Sequence, residues 1–279
     1  MNDRFLAGRT AWVTGGVTGT GRAIAERLAA AGADVAIGSL TADAKTLADG
    51  AFTYRPGAAE TAEAIAAIES ASVRARAFPL DVRDSESVHA CHRAAVAELG
   101  AIDILVNAAG AAAHAYLTSD ESDGVWNTVL DINLNGPYRT TRACLGAMVE
   151  RGWGRIVNIG STAGEVGYPR YTAYCASKSG LLGLSRAVAQ EVAAQGITCN
   201  VIQPGQLDTG MGREGSQRRA DRGEGGADWE ENLRLIAEQL PQKRLITVDE
   251  VAALAVFLCR DEATGITGEV INVAGGALW

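Results

Sequence analysis

Short apolar runs alternate along this chain with longer stretches whose apolar residues recur every three to four positions. The short runs cover residues 10–14, 34–38, 74–78, 103–107, 154–160, 197–202 and 269–273. Runs of that length bounded by turn residues suit strands buried on both faces. The periodic stretches cover 20–31, 59–71, 84–99, 122–149, 171–194, 229–239 and 248–259. Each places its apolar residues on one face of a helix. A strand followed by a helix, repeated, predicts an α/β fold: one doubly wound parallel sheet of about seven strands flanked by helices. Two stretches break the rhythm. Residues 40–58 form a long connection after the second strand and read as an insertion. Residues 205–245 are long and charged, Gly- and Arg-rich at 212–226, and read as a functional or mobile connection with a solvated flexible tip at 213–222. No internal repeat and no second domain is visible, so residues 1–279 read as a single domain.

The first strand runs directly into Gly15-Gly16-Val17-Thr18-Gly19-Thr20-Gly21, and a helix follows. Strand, glycine turn and helix are the context of a phosphate-binding turn. Glycines let the backbone turn tightly and approach a pyrophosphate, and the helix start offers free amides and a partial positive charge. The candidate contacts here are Gly15, Thr18, Gly19, Thr20 and Gly21.

Further along, Tyr174 and Lys178 stand four residues apart in a helical stretch and so share a face. An ammonium held beside a phenol favours the phenolate, which predicts a Tyr174 pKa below its usual value of about 10. A phenol so tuned can pass a proton to or from a carbonyl or alcohol oxygen. Tyr168 and Tyr171 lack a Lys four residues later and read as cleft-lining residues. Ser161 ends the apolar run 154–160, and Asn133 lies in Asp131-Ile132-Asn133-Leu134-Asn135, where Asn135 competes for the same role. A hydrolase elbow around Ser161 is excluded, because Ile159 stands where the first glycine of Gly-x-Ser-x-Gly is required. His89 and His92 share a helix face without a third ligand, which reads as a solvated face and gives no metal site.

With its Gly-x-x-x-Gly-x-Gly turn, Asn133, Ser161 and Tyr174-x-x-x-Lys178 in this order, the chain resembles the short-chain dehydrogenase/reductase family from about residue 7 to its end. Asn107-Ala108-Ala109-Gly110, Leu80-Asp81-Val82, Pro204-Gly205-Gln206-Leu207-Asp208-Thr209 and the segment 266–276 match the same pattern. The resemblance implies a Rossmann-type fold and an NAD(P)-dependent oxidoreductase that interconverts a secondary alcohol and a ketone. It implies Tyr174 as general acid/base, Lys178 as its partner and a ligand of the nicotinamide ribose, and Ser161 as the group that orients the substrate oxygen. Asn133 would help hold a water of a proton relay. Asp81 and Val82 would meet the adenine. Asn107, Ala108 and Gly110 would line the middle of the cofactor site. Pro204, Gly205 and Leu207 would pack near the nicotinamide, and Thr209 would bond its carboxamide or the phosphates. His114, Tyr168 and Tyr171 are candidates for substrate contact. Ala274 replaces an Asp common in the family.

Ser39 closes the second strand where an acid would bind the ribose diol and repel a 2′-phosphate. That tips the expectation toward NADP(H) over NAD(H), with Lys45 or Arg55 of the inserted loop as the missing cation. A net charge of −8 and a pI near 5.0 argue against nucleic acid or an anionic membrane as partner. No apolar run approaches the roughly 20 residues of a membrane span, and Met1–Phe5 lacks the apolar core of a signal peptide. Five scattered cysteines with no Cys-x-x-Cys pair suit reduced thiols and a cytoplasmic location. The apolar tail Ala277-Leu278-Trp279 is expected at a subunit interface of a homo-oligomer, a tetramer by the family's pattern. Two rival readings stay open: an epimerase or dehydratase, and a non-catalytic nucleotide sensor on the same fold.

Overall fold

The computed structural model describes residues 4–40, 47–48, 50–113 and 117–277. Nine strands and nine α-helices are found among them. Seven strands form one parallel sheet: β1 (Thr10–Thr14), β2 (Asp34–Ser39), β4 (Ala75–Pro79), β5 (Ile104–Asn107), β7 (Gly154–Ile159), β8 (Ile197–Pro204) and β9 (Val270–Val273), in the order β4-β2-β1-β5-β7-β8-β9. The chain moves outward from β1 to one edge, returns to β5 on the other side of β1, and then moves outward again. The reversal between β1 and β5 opens a crevice at the carboxyl ends of these strands, where such sheets bind ligands.

The central strands are largely apolar and fully buried, as parallel strands covered on both faces must be. Helices α1 (Gly19–Ala30), α2 (Ala58–Glu69) and α9 (Val248–Phe257) cover one face. There Ile24 and Leu28 pack among Val13, Val35, Ile37, Val106 and Val251. Helices α3 (Ser85–Leu99), α5 (Gly136–Arg151) and α6 (Thr172–Val192) cover the other, around Trp12, Leu105, Met148 and Ile156.

Three features depart from the expected outline. The helix expected over 122–149 is two helices, α4 (Asp123–Leu130) and α5, joined by one wide π turn at Asp131–Asn135. The tip expected to be solvated at 213–222 lies in a helix, α7 (Gly210–Asp221). Thr209 caps it by accepting from the Gly212 amide (3.2 Å), and Ser216 is buried beneath it. The segment continues through α8 (Trp229–Gln239), capped by Asp228, and Asn232 ties it to α7 by donating to the Ser216 carbonyl (3.0 Å). Its two ends are pinned together by a bridge between Leu207 and Ile246. Finally, the inserted connection is not a free loop where it is described. Ala51–Phe52 (β3) pairs antiparallel with Ala112–Ala113 (β6), and the Thr53 hydroxyl donates to the Gly110 carbonyl (2.7 Å). The insertion is therefore strapped to the segment after β5. Lys45, His114 and Trp279, singled out in the sequence, lie outside the described residues.

Candidate active site

A cleft of about 870 Å³ lies at the carboxyl ends of β1, β2, β5, β7 and β8. At one end Gly15 turns the chain out of β1 with φ +67°, and Gly19 enters α1 with φ +54°. Both values lie in the left-handed region that glycine tolerates. A Cβ on Gly21 would lie 2.3 Å from the Gly15 carbonyl oxygen, so that turn closes only on glycine. Thr18 stands at the N-cap of α1 but makes no side-chain cap bond, and the first turn holds no acid. The helix start is left to an anion. Thr14 Oγ1 accepts from the amides of Ala108 (3.2 Å) and Ala109 (3.1 Å), which fixes the second wall. These features fit a dinucleotide pyrophosphate. Thr20, Ser39, Val82, Gly110, Pro204, Gly205 and Leu207 line the same cleft. Asp81 lines it too, with its carboxylate bound by the Arg83 guanidinium at 2.7 and 2.9 Å.

At the other end the structure brings Ser161, Tyr174 and Lys178 together. Ser161 follows β7 directly, and its Oγ accepts from the Ala163 amide (3.2 Å), which orients the hydroxyl. Ser161 and Tyr174 line the same part of the cleft, and the Ser161 hydroxyl favours the Tyr174 phenolate. Tyr174 and Lys178 lie one turn apart on α6, with Lys178 Nζ 5.7 Å from the Tyr174 ring centre. The Lys178 ammonium is buried, and it donates to the Ile159 carbonyl (2.9 Å). Burial pulls its pKa down to about 8.

The expectation of an acidified Tyr174 is corrected. Burial pushes the phenol upward from its ordinary value, and the Ser161 hydroxyl pulls it back only in part. The spacing placed the cation correctly along α6, but the ammonium is engaged by the Ile159 carbonyl, and burial of the ring outweighs it. In the protein as described, Tyr174 holds its proton at neutral pH. That state suits a donor to a carbonyl oxygen.

Asn133 sits buried in the π turn, apart from the hydroxyls. Its Oδ1 accepts from the Ala111 amide (2.9 Å). Its Nδ2 donates to the Ala111 carbonyl (2.9 Å) and to Ser177 Oγ (3.1 Å). The side chain is thus spent on clamping the post-β5 segment to α6. Any water held there would need its main chain. Widened helical turns often mark such sites, because one extra residue re-aims a side chain. Asn135 bonds Asp131 at the surface (2.8 Å) and drops out of the competition.

Sequence reasoning missed the wiring beneath the site. Thr140 donates to Asn107 Oδ1 (2.6 Å), Asn107 Nδ2 to Asn158 Oδ1 (2.8 Å), and Asn158 Nδ2 to Ser185 Oγ (2.8 Å). The chain crosses β5 and β7 and ends on α6. Asn158 inside an otherwise apolar strand was the available signal, since a buried amide needs partners. Tyr168 bonds Thr162 (3.0 Å), and Tyr171 is close enough to Arg222, just past α7, to add slightly to the rise that Glu224 gives its pKa. Both line the cleft. Among the described residues no cluster of His, Cys, Asp and Glu could hold a metal ion.

The fold and this constellation define a nucleotide-binding oxidoreductase, and comparison with known proteins gives the family. The model of the family described as Enoyl-(Acyl carrier protein) reductase matches residues 15–277. The 3-oxoacyl-[acyl-carrier-protein] reductase FabG of Salmonella typhimurium is 36% identical over 272 residues, covering 96% of this chain and 97% of that protein. The crystal structure of carveol dehydrogenase from Mycobacterium avium, in complex with NAD, superposes with a TM-score of 0.89 at 28% identity, over 98% of this chain and 99% of that one. The crystal structure of a single-substitution variant of actinorhodin polyketide ketoreductase, with NADPH, gives 0.86 at 32% identity, over 96% and 97%. The chain belongs to the short-chain dehydrogenase/reductase family. It is an NAD(P)-dependent enzyme that interconverts carbonyl compounds and alcohols, and the sensor and epimerase readings are not favoured. When bound, the nicotinamide accepts or delivers hydride. The chain's own residues supply position, a proton and a fixed polar surround.

Proposed function

We propose that the chain reduces ketones to secondary alcohols, with Tyr174 as the proton donor. The observation that carries this is the convergence of Ser161, Tyr174 and Lys178 on one end of a dinucleotide cleft, with desolvation holding the Tyr174 phenol above its ordinary pKa. Ser161 orients the substrate oxygen toward Tyr174. Lys178 places a positive charge under the phenol and reaches the nicotinamide ribose. Asn133 acts through Ala111 and Ser177 as a positioning residue. The remaining cofactor contacts are those that line the cleft: Gly15, Thr18, Gly19, Thr20, Gly21, Ser39, Asp81, Val82, Ala108, Gly110, Pro204, Gly205, Leu207 and Thr209. Asn107 acts from below, through Thr140 and Asn158. An absorbance assay at the reduced nicotinamide band with a panel of neutral ketones tests the reaction. Cofactor binding without turnover of any of them would refute it.

NADP(H) is the preferred cofactor. Ser39 closes β2 with a hydroxyl, so no carboxylate at that position repels a 2′-phosphate. The Arg22 guanidinium of α1 is engaged by Glu26 (2.7 Å) and Glu63 (2.9 Å), which keeps the preference small. The expected kcat/KM ratio for NADPH over NADH is several-fold, and Ser39→Asp reverses it. A large preference of the unaltered enzyme for NADH would overturn the assignment.

We further propose one domain carrying an insertion at 40–58 and a lid at 205–245, in a cytoplasmic protein with reduced thiols. Four of its five free cysteines are buried, and no described helix is long and apolar enough to cross a membrane. The assembly is a homotetramer. Tyr138 and Val149 stand exposed on α5, and Phe257 on α9, which gives two separate apolar faces for two kinds of contact. Sedimentation equilibrium is expected to give four chains, and a monomer at micromolar concentration would contradict it.

A further inference from the structure

We infer that Arg219 selects substrates carrying a carboxylate, so that the enzyme acts on oxo acids with an apolar body; this rests on the carbonyl reduction proposed above. Five charged side chains line the cleft: Glu60, Asp81, Lys178, Arg213 and Arg219. Glu60 accepts from Tyr54 (2.6 Å) and from the Gly57 amide (2.9 Å). Asp81 is held by Arg83, and Lys178 by the Ile159 carbonyl. Arg213 is gripped by both oxygens of Asp208, at 2.6 and 3.1 Å. Among the described residues Arg219 alone of the five has neither a hydrogen-bond nor an ion-pair partner for its side chain.

Its neighbours do not neutralise it. Arg218, one residue back, pairs with Glu214. Glu224 feels the field of Arg219, but it binds Arg222 through both oxygens, at 3.0 and 2.9 Å. Glu224 is held below the usual carboxylate range, first by Arg222 and further by the fields of Arg170 and Arg219. The fields of Arg222, Arg170 and Arg219 thus act together on Glu224, in a chain whose net charge is −8. Such a local excess of positive charge attracts an anion. Met211, Ile236, Leu240 and Tyr168 also line the cleft and offer apolar and aromatic surface. A guanidinium fork matches a carboxylate in two parallel hydrogen bonds. Arg219 is exposed at the rim, so water screens the pair and its effect is about tenfold, below that of a buried one.

The test uses matched pairs of straight-chain 3-oxo to 7-oxo acids and their methyl esters, reduced by the full-length enzyme with saturating cofactor. The expected result is a kcat/KM ratio of acid to ester of about ten at the chain length that reaches the rim, carried by KM. Arg219→Gln brings that ratio close to one, and Arg219→Lys retains part of it. Esters reduced as well as acids at every length, or an unchanged ratio in Arg219→Gln, would overturn the inference. So would turnover of neutral ketones with none of any acid, which leaves the carbonyl reductase reading standing. Failure of acids, esters and neutral ketones alike, with the cofactor bound, sinks that reading instead.

Discussion

Tyr174→Phe is expected to lower kcat by about 10³-fold while the dinucleotide still binds. The substitution removes one oxygen and keeps the ring that packs beside Ala173 against α4. What disappears is the proton that the phenol holds. Burial raises the Tyr174 pKa and Ser161 opposes that only in part, so the group is protonated at neutral pH and ready to give its proton to a carbonyl oxygen. Single-turnover reduction measures the chemical step, and quenching of protein fluorescence by the cofactor measures binding. A variant within tenfold of the parent in the chemical step would remove Tyr174 from the mechanism.

The second large effect concerns Lys178, whose replacement by Met should cost activity and add stability together. Its ammonium is buried with no carboxylate partner among the described residues, and burial lowers its pKa from 10.5 to about 8. A folded-state value below the unfolded one means that the folded protein resists charging this group. The cost is fully present below about pH 8 and fades as the pH rises toward 10.5. The depression corresponds to roughly 3 kcal/mol, of which the bond to the Ile159 carbonyl returns about 1. Lys178→Met is therefore expected to be about 2 kcal/mol more stable at pH 7, with the gain shrinking toward pH 10. Its kcat should fall by at least about 10²-fold, because no cation then sits under the phenol. Denaturant unfolding at both pH values and steady-state rates check the pair. A Met variant less stable than the parent at pH 7 would show that Lys178 supports the fold instead of straining it.

Much of this molecule can be read from its residues, for identifiable reasons. Parallel strands buried on both faces must be largely apolar, so β1, β5 and β7 stand out as runs. The glycine turn is legible because a left-handed φ at Gly15 and the close approach of Gly21 to Gly15 admit no side chain. The rest hides where local pattern and tertiary context diverge. The π turn at Asp131–Asn135 shifts the helical phase by a single residue between two helices that follow without a break, so 122–149 reads as one helix. Helix α7 is Gly- and Arg-rich, and its glycines make it a poor helix sequence by propensity. It forms because Thr209 caps it and Asn232 of α8 fastens it. The β3–β6 strap is two residues long and built partly from alanines, too short and bland to register. The direction of the Tyr174 shift also eludes spacing, because desolvation depends on what surrounds the ring.

The polar chain from Thr140 through Asn107 and Asn158 to Ser185 contains only hydroxyls and amides. None of these titrates between pH 4 and 11 or so. That network beneath the reacting groups is thus blind to acidity over the whole working range. Bends in a rate profile with pH therefore do not arise from these four residues.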